Sequence, residues 1–254
     1  MKKVLFGFTL SEMLVAIAIV GIIVALTVPN IINSYQKQSY ATSIKKAYVD
    51  LQQNLELLQA EDYRKKGLSK SILNRGKVSE DAEDNKTVEE TAGKFIHNYY
   101  KINKDCKTDS TGCFARKYGT INGDSDKEFS CSDGYSVLLA NGFAICIIPP
   151  RIEVKTEETC NGSICMQNSV EKKYPNATVA VDINGSNEPN IGGRDMFTFN
   201  IYEDFTIDEI SPDEIKAASA RDSRDNLFMK TCLSSYVGVG CFGKLLNDNW
   251  VMNY

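Results

Sequence analysis

One segment constrains this chain more than any other: residues 8–28, FTLSEMLVAIAIVGIIVALTV, in which Glu12 is the only ionisable side chain. In helical form such a run rises about 31 Å, which matches a hydrocarbon core about 30 Å thick. It is therefore long enough to cross a membrane. Lys2 and Lys3 precede it and form a positive end expected to stay cytoplasmic. An ordinary secretory signal fits poorly, because its shorter apolar core is followed by a small-residue cleavage site. Here the run ends in Val28-Pro29-Asn30-Ile31-Ile32, and the leader's glycine, Gly7, comes before the apolar stretch. Glu12 is the anomaly. A carboxylate inside a bilayer costs a few kcal/mol and calls for a partner. Its place near the N-terminal end lets it reach partly toward the interface, but a compensating cation is the simplest explanation.

The remaining composition narrows the functions available. With 254 residues, 43% of them hydrophobic and 24% charged, the chain has the make-up of a folded protein. A formal charge of −4 gives no basic footprint for nucleic acid. The single histidine, His97, cannot build a multi-histidine metal site, and any Ser-His-Asp triad would have to use it. All eight cysteines (Cys106, Cys113, Cys131, Cys146, Cys160, Cys165, Cys232 and Cys241) lie well behind the apolar run. An even number in loop-rich sequence beyond a membrane segment suggests disulfides in an oxidising compartment. Zinc is the competing reading, but it favours CxxC pairs, and Cys160 and Cys165 are spaced more widely. Short separations favour the pairs Cys106–Cys113, Cys160–Cys165 and Cys232–Cys241, leaving Cys131–Cys146 to staple two strands.

Past Pro29 the helix is expected to continue, turn amphipathic and stop near Gly67. Ile44, Ala47, Tyr48, Leu51, Leu55 and Leu58 recur at helical spacing and make one apolar face. Residues 69–86 are polar and charged and read as a mobile surface loop. Thr87-Val88-Glu89-Glu90 has the form of a capping box, opening a short helix that carries His97, here read as structural. The rest reads as mainly β. Residues 135–140 and 143–148 flank Asn141-Gly142, a pair suited to a type I′ hairpin turn. Residues 179–183 and 196–202 read as further strands, Ser211-Pro212-Asp213-Glu214 can start a helix, and residues 250–254 read as a final strand or docked end. A helix followed by strands without βαβ alternation indicates an α+β fold with an antiparallel sheet.

Gly7-Phe8-Thr9-Leu10-Ser11-Glu12, followed by the apolar stretch and Pro29, resembles the cleavage and methylation signal of type IV prepilins and type II secretion pseudopilins. The resemblance is specific over about thirty residues and general beyond them. It implies cleavage by prepilin peptidase between Gly7 and Phe8, with Phe8 becoming the N-methylated first residue. Glu12 matches the family glutamate that meets a neighbouring subunit's terminal amine, and Pro29 matches the family's helix-kinking proline. The implied organisation is a leader over residues 1–7, a transmembrane and filament-core helix over 8–28, its amphipathic continuation over 29–66, and a disulfide-containing head over 67–254. The implied partners are other copies of the chain and related pilins, the peptidase, the inner-membrane assembly machinery and the membrane itself. The chain would sit in the inner membrane before assembly, with its head outside the cytoplasm, and in a filament afterwards. The resemblance implies a structural subunit rather than an enzyme. A pilin and a pseudopilin share these residues, and a single-pass anchored enzyme or carbohydrate-binding domain is the reading from another class.

One further segment carries possible chemistry. Asp182, Asn184, Asn187 and Asp195 gather oxygen ligands between two expected strands, as calcium requires. Gly185 comes too early for an EF-hand, and Asn, Asp, Gly and Pro dominate ordinary turns, so a structural loop is the stronger reading. Residues 122–126 read as a turn, and the carboxylate pair Glu157-Glu158 as solvated charge. No nucleophile-elbow, P-loop, zincin or dinucleotide motif occurs. Asn161-Gly162-Ser163 and Asn176-Ala177-Thr178 fit the glycosylation sequon, a pattern frequent by chance.

If Gly7 marks the cut, Gly7→Leu should leave a precursor heavier by residues 1–7 and held in the membrane fraction. Intact-mass measurement checks this, and a normally sized, assembled Gly7→Leu chain would contradict the assignment.

Overall fold

The computed structural model of the chain describes residues 7, 9–61, 67–78, 86–124, 126–161 and 164–254. Among the sequence expectations, residues 1–6 of the leader, Phe8, residues 62–66 and the centre of the 69–86 loop lie outside the described residues.

One helix, α1 (Leu10–Glu61), runs through Pro29 without a break in its assignment. At 1.5 Å per residue it is about 78 Å long. Its apolar first half is exposed among the described residues, whereas Ala41, Ile44, Ala47, Leu51, Leu55 and Leu58 are buried in the main core. The strands are β1 (Lys77–Val78), β2 (Ile102–Lys107), β3 (Lys117–Tyr118), β4 (Lys127–Glu128), β5 (Tyr135–Leu139) and β6 (Ala144–Ile148), then β7 (Arg151–Asn161), β8 (Ile164–Tyr174), β9 (Ala177–Asp182), β10 (Met196–Ile201) and β11 (Ile207–Asp208). Six of them form an antiparallel sheet ordered β11-β10-β9-β6-β5-β2. The architecture is α+β.

Period-two alternation divides the sheet into two faces. Val137, Ile145, Ile147, Val179, Val181, Phe197 and Phe199 join the core that holds α1. Ala144, Cys146, Ala180 and Met196 face the other way, into a second cluster with Phe114 and Tyr118. The segment that covers this outer face is tied down by two disulfides, Cys106–Cys113 and Cys131–Cys146. A third, Cys232–Cys241, joins α4 (Ala220–Thr231) to α5 (Cys241–Asn247). Cys160 and Cys165 are register partners in the β7–β8 ladder, and their side chains lie outside the described residues.

Several local expectations change. The β5–β6 connection is not a two-residue type I′ turn, because Gly142 takes a positive φ of 88° and Asn141 does not. Gly142 N donates to Leu139 O at 3.0 Å and Leu139 N to Phe143 O at 2.8 Å, leaving a three-residue loop. Asn141 contributes through its side chain, which accepts from Phe143 N. Residues 69–78 are not a loose polar loop. Leu68 and Leu73 are fully buried, Leu68 N donates to Glu203 O, and β1 pairs in parallel with β7. The charged neighbours concealed these two anchors.

The reading of the C-terminal part as mainly β misses a helical end. Short helix α3 (Pro212–Lys216) has the Ser211–Glu214 capping box, and α4 and α5 follow. Only Phe228 of α4 is buried, so its sequence shows no apolar stripe. The helix is held by other means: Arg224 forks onto Asp208 of β11, and Phe242 of α5 stacks on Phe199 with centroids 4.4 Å apart. Residues 250–254 form no strand. They dock, with Trp250 against Tyr48 of α1 and Met252 buried. Between β6 and β9 the chain also makes a long two-stranded arm, β7–β8, paired from Arg151↔Tyr174 to Asn161↔Ile164.

The Thr87 capping box forms as expected, with Thr87 N donating to Glu90 at 2.8 Å and Glu90 N to Thr87 Oγ1 at 3.1 Å. A π-helical turn (Glu89–Gly93) then leads into α2 (Lys94–Tyr99). His97 on α2 lies 3.0 Å from Asp105 and 3.3 Å from Tyr135, whose hydroxyl also donates to Asp105. This is a polar clasp between α2 and the sheet.

The burial boundary on α1 gives a direct contrast. Leu55→Ala should destabilise the head by about 2–5 kcal/mol, while Val49→Ala, on the exposed side, should stay within about 0.5 kcal/mol. Denaturant unfolding of the full chain in detergent, followed by circular dichroism, measures both.

Candidate functional site

The N-terminal half of α1 is the first candidate. Its most apolar window has a mean hydropathy of 2.6 and none of it is buried. Leu10 is 82% exposed and Leu26 is 70% exposed. An exposed apolar surface of this extent is the kind that marks a membrane or protein interaction face. Composition and length suit a membrane span.

Glu12 sits at the start of this half, and the structure gives it a partner in its own chain. Thr9 N and Thr9 Oγ1 both donate to Glu12 Oε2, at 2.8 and 2.7 Å, and Glu12 N reaches Thr9 Oγ1 at 3.3 Å. This reciprocal pattern is a capping box, which satisfies helix-end donors and places a negative group at the positive end of the helix dipole. The carboxylate is thus already hydrogen-bonded before any neighbouring cation arrives. Sequence reasoning missed Thr9, although the spacing that identifies Thr87–Glu90 is repeated at Thr9–Glu12. Gly7 is exposed, with open space where a side chain would extend, and Phe8 lies outside the described residues. Pro29 lies within α1 and has no N–H to give to the Ala25 carbonyl. Two residues earlier, Thr27 Oγ1 donates to Ile23 O at 2.8 Å, a back-bond that tends to bend helices.

The oxygen-rich loop is the second candidate. Asp182 ends β9 and Asp195 immediately precedes β10; both are fully buried, and the two strands pair at Asp182↔Met196. Asp182 accepts from the Tyr118 hydroxyl and from Asn184 N. Asp195 accepts from Asn190 N and Ile191 N, both at 2.7 Å. The structure therefore brings Asp182, Asn184 and Asp195 together. Asn187 stays exposed and donates to Asn184 O. Both carboxylates are engaged by internal donors, while Asn184 Oδ1 and Asn190 Oδ1 are buried without a partner. Among the described residues no group of three or more His, Cys, Asp or Glu is arranged for a metal ion. The hydrogen bonds make this a knot that closes the β9–β10 connection.

Burial sets the protonation of that knot. It pushes the Asp182 carboxyl up to about 8, against the pull of its bonds from Tyr118 and Asn184. Asp195 is raised for the same reason. Glu209 is also raised by burial to about 8, although Gly240 N and Gly243 N donate to it at 2.5 and 2.6 Å.

Comparison with protein-family models, curated proteins and solved structures gives no match for this chain.

The raised carboxyls predict a pH dependence. A carboxyl whose pKa rises on folding keeps its proton in the folded state after the unfolded chain has lost it. Its contribution is complete below about pH 4 and is lost as pH rises to about 8. The head should therefore lose stability with increasing pH over that window. Asp182→Asn, neutral at every pH, should flatten part of the slope and melt higher than the parent chain above pH 8. Thermal unfolding across pH measures this, and parallel slopes for the two chains would contradict it.

Proposed function

We propose that this chain is a structural subunit of a type IV pilus-like filament, held in the membrane by α1, cut between Gly7 and Phe8, and assembled through the same helix. One observation supports the reading: a single helix buries one face between Ala41 and Leu58 in its own head, while its apolar half from Leu10 onward is exposed among the described residues. A bilayer covers that half before assembly, and the same half of neighbouring copies covers it afterwards. Three disulfides among the described residues of the head agree with a compartment outside the reducing cytoplasm. The reading assigns no catalysis to the head.

Moving an apolar helix from lipid to a bundle of similar helices gains little from hydrophobicity, so register must come from a directional contact. Glu12 is the only ionisable side chain in residues 8–28. In this proposal the amine created at Phe8 of a neighbouring copy meets the Glu12 carboxylate at one stagger only, adding charge to the Thr9 hydrogen bonds.

Two substitutions separate this role from simple capping. Glutamine can complete a capping box but carries no charge, whereas alanine removes both functions. Glu12→Gln and Glu12→Ala should both insert into the membrane at normal levels and both fail to form filaments. Electron microscopy of sheared filaments beside a membrane-fraction blot measures the outcome. Abundant filaments from Glu12→Gln would mean that Glu12 acts only as a cap, and the charge-pairing mechanism would fall.

A further inference from the structure

The segment that covers the outer face of the sheet contains a pocket of about 440 Å³, inside the range of about 300–1,000 Å³ typical of small-ligand clefts. Its floor is aromatic: Phe114 and Phe129 pack with ring centroids 4.7 Å apart, and Phe129 is only half-buried. One wall is the loop closed by the Cys106–Cys113 disulfide, where Cys113 N and Phe114 N both donate to Ser110 O at 3.1 Å and fix Ser110 and Thr111. The β9–β10 connection adds Ser186 and Asn190.

Asn190 is the informative residue. Its backbone is held on both sides, N donating to Asp195 at 2.7 Å and O accepting from Gly119 N at 2.9 Å. Its φ of 52° lies in the left-handed region, which asparagine tolerates better than most residues. Yet its Oδ1 is buried with no hydrogen-bond partner. An unsatisfied buried acceptor is costly, and a turn about χ2 can present this oxygen to a donor in the pocket. Charge adds a second requirement. The lining holds Arg116 and Lys117 and no carboxylate side chain, in a chain whose net charge is −4. Lys117 has no ion-pair partner among the described residues. Arg116 shares its charge with Glu128 at 2.9 Å, and Asp109 of the disulfide loop is taken up by Thr111 N.

We propose that this pocket binds an acidic saccharide, a glycan bearing a hexuronate ring. The electron-rich faces of Phe114 and Phe129 attract the polarised C–H face of a sugar. Ser110, Thr111 and Ser186 exchange hydrogen bonds with ring hydroxyls, one of which donates to Asn190 Oδ1. The sugar carboxylate meets Lys117 and Arg116. A neutral sugar leaves those cations unused, and a purely apolar ligand leaves Asn190 unsatisfied. An acidic peptide fits less well, because peptides gain affinity by extending a strand edge. The strand at this rim, β3, is 2 residues long and already paired with β4. The pocket lies on the side of the sheet opposite α1, so it stays open whatever covers the apolar half of the helix. It therefore does not depend on the filament reading.

Calorimetric titration of the full-length chain in detergent tests this, with oligogalacturonate, oligomannuronate and hyaluronan fragments as acidic probes and a galactose oligomer as the neutral one. Saturable binding is expected with an acidic probe and none with the neutral oligomer at the same concentration. Asn190→Gly, which keeps the left-handed backbone and removes the amide, should weaken binding about tenfold, the effect of one hydrogen bond. Lys117→Gln should weaken it about threefold, as expected for one exposed ion pair. Lys127→Gln is the control: Lys127 lies outside the pocket, over the Tyr236 ring, and its loss should leave the affinity unchanged. Absence of binding to every acidic probe, equal binding of the neutral oligomer, or equal losses from Lys117→Gln and Lys127→Gln would overturn the site. So would an unchanged affinity in Asn190→Gly.

Discussion

Burial along α1 changes abruptly at Ala41, and most of the molecule is arranged around that change. On the C-terminal side, residues at helical spacing from Ala41 to Leu58 close against a sheet. On the N-terminal side, a helix of the same continuity presents Leu, Ile and Val outward all round. A helix that is apolar on every side has no stable arrangement in water as an isolated rod. The head therefore fixes one face of the C-terminal half of α1 and leaves the other half exposed. Continuity through Pro29 transmits the head's position to the apolar half.

The sheet serves that arrangement by being covered on both faces. Its inner face packs on α1. Its outer face packs on a disulfide-tied segment, so the sheet is sandwiched instead of exposing one side to solvent. The edges are handled separately. The β11 edge is locked by Arg224 on Asp208 and by half-buried Glu209 capping the start of α5. Those contacts carry the C-terminal helices and the docked tail against Tyr48, which puts Trp250 beside the helix about 30 Å along its axis beyond Val28.

Much of this was legible in the sequence where one physical signal dominated. The apolar length of residues 8–28, the face from Ile44 to Leu58, the Thr87 and Ser211 capping boxes and the β9 and β10 strands each rest on strong periodicity or specific turn chemistry. The elements that escaped are held by contacts distant in sequence. Helix α4 has one buried side chain and depends on Arg224 and the Cys232–Cys241 bond. Leu68 and Leu73 were hidden among charges, and the β7–β8 arm lacks clean alternation. At the candidate sites, spacing alone singled out Asp182, Asn184 and Asp195 but not the Tyr118 hydroxyl that occupies Asp182, which comes from 64 residues away. Thr9 was legible from the same spacing that marks Thr87–Glu90, but the cost of Glu12 in lipid does not by itself point to the helix end beside it.

The central claim is that α1 changes environment from bilayer to filament after its leader is removed. The most direct test is the mass of the mature N-terminal peptide, taken from membrane-bound and sheared extracellular material of the unaltered chain. The account predicts that both pools begin at Phe8 with a methylated amine and that the extracellular pool is filamentous. A chain that retains Met1, or is cut on the far side of the apolar stretch, would show that residues 8–28 are a simple anchor or a discarded signal, and would contradict it.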